Sequence, residues 1–181
     1  VKSDLSSLDF TQAAAAVSPG VVHVRTTYNR SMARGGNVDP FGDMFEDFFG
    51  RRQRSTPQQN GPAPMGKGSG VIVTEDGYIM TNNHVVEDAE KIEVILSDKR
   101  VLQAKVIGRD KNTDLALIKV SASDLPIVRL GNSDQVKVGE WVLAVGNPFN
   151  LESTVTAGIV SAKGRAINIL DDNAAIESFI Q

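Results

Sequence analysis

Two residues stand out for the chemistry they would do together. His84 lies in Tyr78-Ile79-Met80-Thr81-Asn82-Asn83-His84-Val85-Val86, where an apolar strand gives way to a turn. An imidazole at a strand end, after small polar residues, is well placed to face a cleft. Asp114 opens Asp114-Leu115-Ala116-Leu117-Ile118-Lys119-Val120, a second apolar strand. A carboxylate at the start of such a strand is at least partly buried, and a buried carboxylate is costly unless a hydrogen-bond partner meets it. An imidazole N–H is a suitable partner. The carboxylate would orient the ring and stabilise its charged form, while the ring takes a proton from a nucleophile. Each residue also has a plainer reading. His84 would be satisfied by a turn carbonyl, and Asp114 would cap the Asp110–Thr113 turn.

A nucleophile for such a pair is harder to find. Ser69 sits in Gly68-Ser69-Gly70 ahead of a strand, Ser133 lies in a turn, and Ser161 is followed by Lys163 at alternate-residue spacing. None has the flanking pattern or defined geometry that would make it a nucleophile. The chain has no cysteine, which excludes a thiolate nucleophile, disulfides, zinc-thiolate sites and iron–sulfur clusters. With only two histidines, a His-rich metal site is disfavoured. No metal or organic cofactor is expected.

Other motifs carry less. His23 falls on the polar face of a strand and reads as a surface histidine. Asn29-Arg30-Ser31 fits a glycosylation acceptor, a three-residue pattern common by chance. Gly61-Pro62-Ala63-Pro64-Met65-Gly66-Lys67-Gly68 approaches a phosphate-binding loop. However, Gly68 stands where Ser or Thr should hold magnesium, and the segment opens a strand, not a helix. The net charge of −3 argues against a nucleic-acid surface.

The elements that must position His84 and Asp114 are short. Asp9–Val17 predicts a helix, stopped by Ser18-Pro19-Gly20. Val21–Tyr28 alternates, Val22 and Val24 one way and His23 and Arg25 the other, as a half-buried strand does. Asn29–Gly68 has no strand period and reads as a long loop. Inside it Phe41, Phe45 and Phe49, with Met44 and Phe48, could form a short amphipathic helix that docks in a groove. From Gly70 onward, strands are predicted at Gly70–Thr74, Tyr78–Thr81, Lys91–Leu96, Val101–Arg109, Leu115–Val120, Ile127–Leu130, Glu140–Gly146 and Thr154–Lys163. Glu75-Asp76-Gly77 reads as a hairpin turn. Many short strands without crossover helices indicate an all-β barrel or sandwich.

The chain's 181 residues suffice for one domain or two small packed lobes. With 41% hydrophobic and 23% charged residues, the composition is that of a globular chain, not a disordered one. No apolar run reaches the roughly 18 residues needed to span a bilayer. Val1–Phe10 lacks the apolar core of a signal peptide, and the first residue is Val, so the chain reads as a processed or trimmed piece.

Gly68-Ser69-Gly70-Val71-Ile72-Val73, the His84 segment from Asp76 to Val86, and Thr113–Val120 closely resemble motifs of the HtrA/Deg trypsin-like serine proteases. The similarity continues through Leu130–Asp134, Val138–Phe149 and Thr154–Ala162, in order, and is weakest in Asn29–Met65. The resemblance implies two perpendicular β-barrels with the active site between them, His84 as general base and Asp114 as its orienting partner. It divides the chain into an N-terminal segment (1–20), a first barrel (21–132, with the insertion at 29–68) and a partial second barrel (133–181). It implies that the Phe41–Phe49 loop covers the active site or contacts a neighbouring subunit, and that Gly164–Asn173 is a regulatory surface loop. It also implies unfolded polypeptide substrates, trimers or higher assemblies of trimers, C-terminal PDZ domains, and residence in the periplasm after removal of a signal peptide.

The chain departs from the family at its end. The Gly-Asn-Ser-Gly-Gly motif that carries the nucleophile and the oxyanion-hole N–H groups is not in the sequence. The expectation is therefore a complete first barrel, a truncated second one, and a nucleophilic serine beyond Gln181. A non-catalytic, chaperone-like binding protein or an inactive fragment is the rival reading.

Overall fold

The computed structural model describes residues 9–28, 65–147, 153–164 and 179–181. The Phe41–Phe49 island, the Asn29-Arg30-Ser31 triplet and residues 165–173 of the expected surface loop lie outside them. A short helix, α1 (Thr11–Val17), comes first and tightens into a 3-10 turn at Ser18–Gly20, with Pro19 at the start of that turn. The Asp9 carboxylate accepts the Thr11 N–H at 2.8 Å, satisfying one donor that the first helical turn leaves over.

Six antiparallel strands then close into a barrel: β1 (Val21–Thr27), β2 (Met65–Ile72), β3 (Tyr78–Asn82), β4 (Lys91–Ile95), β5 (Val101–Asp110) and β6 (Leu115–Val120). Their order around the barrel is β1-β2-β3-β6-β5-β4, and β4 returns to pair with β1. Closure leaves no strand of the six with an unpaired edge. The core follows from alternation. Val22 and Val24 of β1, Ile72 of β2, Ile79 of β3, Val94 of β4 and Ile118 and Val120 of β6 have no solvent exposure. Burying each such side chain stabilises by about 1.5–3 kcal/mol relative to leaving it in water.

The β2–β3 hairpin turns where the sequence places it. Gly77 has φ +103°, and a Cβ there would lie 2.6 Å from the Val120 carbonyl oxygen, so both backbone conformation and space require glycine. Other boundaries differ from expectation. β2 begins at Met65, because Met65–Val71 pair with Thr27–Val21 of β1, so residues 65–68 are strand and not loop. The same pairing rules out a phosphate-binding loop at Gly66–Gly68. Ile127–Leu130 forms no ladder: Val128 donates its N–H to the Ile72 carbonyl, while Leu130 is exposed.

Beyond the barrel lies a two-stranded antiparallel sheet, β7 (Trp141–Gly146) and β8 (Thr154–Ile159). It starts one residue later and ends earlier than predicted, although Val160 still exchanges backbone hydrogen bonds with Gly139 and Glu140. The expected architecture is thus met by a closed first barrel and, among the described residues, by two strands of the second lobe.

Candidate active site

The barrel's register brings His84 to Asp114. β3 and β6 are neighbours, with Asn82 opposite Leu115. His84 lies two residues past Asn82, in the one-turn helix α2 (Asn83–Val86), and Asp114 lies one residue before Leu115. Asp114 takes φ +53°, a left-handed conformation that Asp tolerates better than most side chains. Its carbonyl accepts the Asn83 N–H at 3.0 Å, tying the start of α2 to the start of β6. On the other side, Gly68 lets α2 approach: a Cβ at Gly68 would fall 2.7 Å from the Val85 side chain. Tyr28 donates its hydroxyl to the Val85 carbonyl at 3.3 Å and itself accepts from the Thr26 hydroxyl.

The contacts of the carboxylate are specific. Oδ2 lies 2.7 Å from His84 Nδ1, and Oδ1 accepts the His84 backbone N–H at 2.9 Å. Asn82 Nδ2 donates to Oδ2 at 3.1 Å and to the Asp114 carbonyl at 3.2 Å. Burial pushes the Asp114 carboxyl up, but the hydrogen bonds from the His84 ring and backbone, its charge, and Asn82 outweigh burial and hold it below the ordinary carboxylate range. An ionised carboxylate only accepts, so Nδ1 carries the proton and Nε2 is the basic nitrogen of the ring. The His84 side chain is about one-third exposed and that of Asp114 one-tenth. The arrangement is a solvent-reachable base on a buried anionic anchor.

Both plainer readings fail on these contacts. The Asp110–Thr113 turn is capped by Asp110, whose carboxylate accepts from Asn112 N and Thr113 Oγ1. The His84 ring meets the Asp114 carboxylate through Nδ1. The alternative serines are engaged elsewhere. Ser69 Oγ accepts the Asn147 N–H at 2.8 Å, and Ser133 starts a 3-10 turn. Lys163 Nζ, the partner Ser161 would need, donates to the Asp134 and Val136 carbonyls.

A family model for the trypsin-like peptidase domain matches residues 68–181. The chain belongs to the trypsin-like peptidase family. A probable periplasmic serine endoprotease, DegP-like, from Pseudomonas fulva is 48% identical to this trypsin-like chain over 188 residues, covering 96% of it and 38% of the relative. Its counterpart from Chlamydia trachomatis is 44% identical over 191 residues, covering 97% and 37%. The chain thus spans under two-fifths of the length of these relatives. Among solved structures, the HtrA-type protease AlgW with decapeptide superposes with a TM-score of 0.68 at 34% identity, over 96% of this chain and 51% of that one.

In this trypsin-like domain, two features of the site region went unread in the sequence. Asn82 belongs to the carboxylate's shell, and only its place beside His84 hinted at it. His23 is not a surface residue: it is 1% exposed, because the outer face of β1 is covered where the chain leaves β7. Its Nδ1 lies 2.7 Å from the Asn147 carbonyl oxygen. Strand alternation assigns faces but does not say which face a later segment covers.

Proposed function

We propose that this chain carries the general base and its anchor for a serine endopeptidase of the HtrA type, acting on unfolded or misfolded polypeptides in the periplasm. The observation that carries the reading is the 2.7 Å contact between His84 Nδ1 and the Asp114 carboxylate, within a domain whose relatives are named serine endoproteases. A serine supplied by sequence following Gln181 attacks the scissile carbonyl. His84 Nε2 takes the hydroxyl proton and passes it to the leaving amine, and water then repeats the cycle on the acyl intermediate. Asp114 holds Nδ1–H in place and stabilises the imidazolium. The reaction needs no metal or organic cofactor. Assembly as a trimer, or a higher oligomer of trimers, and contact of the Phe41–Phe49 loop with a neighbouring subunit or the active site belong to the same proposal. So does the division into an N-terminal segment, a first barrel and a partial second barrel.

The test is cleavage of unfolded casein by the full-length protein that contains this chain. Asp114→Asn should preserve the fold, favour the wrong tautomer, and lower kcat by about ten-thousandfold. His84→Ala should abolish cleavage. Casein held without cleavage by the unsubstituted protein, and held equally by His84→Ala, would replace the peptidase reading with that of a binding protein.

A further inference from the structure

The proposed reaction does not use the other histidine. His23 of β1 faces Ser69 of β2 across the barrel wall, and both hold one residue of the second lobe. The His23 ring donates Nδ1–H to the Asn147 carbonyl at 2.7 Å, and the Asn147 N–H donates to Ser69 Oγ at 2.8 Å. Asn147 follows directly on β7 and is 5% exposed. Its side-chain oxygen is buried without a hydrogen-bond partner, so its backbone and not its amide fixes it there. Among the described residues, the hydrogen bonds joining barrel and second sheet both end on Asn147. The other end of β7 meets the N-terminal segment through Trp141 and Phe10, with ring centroids 5.6 Å apart. β7 is therefore pinned at two points, and one of them depends on a buried imidazole.

We propose that His23 and Ser69 form an acid-sensitive clasp: neutral His23 holds the end of β7 on the barrel, and its protonation releases Asn147. The neutral ring satisfies the Asn147 carbonyl with one N–H and brings no charge into the wall. A protonated ring would place a buried cation beside Lys67 of β2 and Arg25 of β1. Among the described residues, the surroundings offer little compensation. From β4, Ile95 faces His23 directly, and Glu93 is already engaged by Arg25 and Lys91. β7 from Trp141 to Gly146 has no ionisable side chain, and on α2 His84 is committed to Asp114. Burial, with Lys67 and Arg25 adding to it against the opposing Asn147 bond, holds the His23 ring below its ordinary value of 6.5. Letting Asn147 go exposes the ring to water and removes the conflict. The clasp concerns docking of the second sheet and is independent of whether the protein cleaves peptides.

Amide hydrogen exchange at Asn147 between pH 7.5 and 5, corrected for intrinsic exchange, reads the clasp directly. If opening takes up a proton, the opening constant rises as pH falls below 6.5, by at most about tenfold per pH unit. The slope should survive His84→Ala and vanish in His23→Gln, while Ser69→Ala should raise opening at pH 7.5 with the slope kept. A constant that is flat with pH, or a slope lost in His84→Ala, overturns the proposal. If His23→Gln fails to fold by far-UV circular dichroism, His84→Ala and Ser69→Ala decide: a slope kept in His84→Ala together with raised opening at pH 7.5 in Ser69→Ala supports the clasp, and the loss of either overturns it.

Discussion

The six-stranded barrel and the β7–β8 sheet use similar residues and bury them differently. In the barrel, Val22, Ile79 and Ile118 are fully enclosed. In the second sheet, Trp141, Val142, Val155 and Ile159 are 37–51% exposed. The cause is closure: β4 returns to β1 and each barrel strand has two neighbours, whereas β7 and β8 have only each other among the described residues. His84 and Asp114 are both carried by the closed unit. Their contact is set by one register, Asn82 opposite Leu115, and owes nothing to the open sheet. The His84–Asp114 pair is thus complete within the closed barrel.

The sharpest way to break this contrast is a pair of truncations. Ile118→Ala, at a site with no exposure, should cost about 2–5 kcal/mol by denaturant unfolding. Val155→Ala, at 37% exposure, should stay within about 0.5 kcal/mol. Equal losses would mean that Val155 is covered by a segment outside the described residues.

The same contrast explains what could be read in advance. Periodicity located β3, β4 and β6, whose buried residues alternate with more exposed ones, while β1, β5 and the Gly77 turn were read from their apolar and turn residues. The pairing of His84 with Asp114 was legible as a chemical need, a buried carboxylate seeking a donor, and the resemblance supplied the roles. Features that depend on a distant segment were not legible. β2 starts at Met65 because β1 offers a full ladder there, although Met65-Gly66-Lys67-Gly68 has no strand pattern of its own. Ile127–Leu130 is apolar enough for a strand yet finds no edge left in a closed barrel. His23 alternates with Val22 and Val24 as a surface residue would, yet it is buried and hydrogen-bonded to the Asn147 carbonyl.

Acid should separate the two lobes. Asp114 lies below its ordinary value in the folded chain, so its contribution is present above the unfolded value of about 3.9 and is lost as pH falls through the folded one. His23 is also lowered, so by the same sign its contribution is whole above 6.5 and declines as pH falls from there. The second sheet should loosen first, as pH falls below 6.5, and the barrel only as it falls below about 3.9. Emission from Trp141 on β7, followed with far-UV circular dichroism, would show two steps. A single transition in both signals would mean that the lobes unfold as one unit.

The smallest effect tests whether the barrel alone steadies the turn that carries His84. Tyr28 follows β1 and donates to the Val85 carbonyl of α2 at 3.3 Å, a long bond in a half-buried place. Tyr28→Phe removes that donor and leaves the ring in contact with the wall. The Val85 carbonyl and the buried Thr26 hydroxyl each lose a partner, so the cost should be about 1–3 kcal/mol. In a chain of 181 residues that corresponds to a fall in Tm of roughly 2–4 °C for each kcal/mol. The His84–Asp114 contact should persist, because it rests on the Asn82–Leu115 register and on the carboxylate's hold on the His84 backbone. The low-field resonance of the His84 Nδ1 proton reports that contact. Its loss in Tyr28→Phe would show that the end of β1, as well as the β3–β6 pair, positions the base.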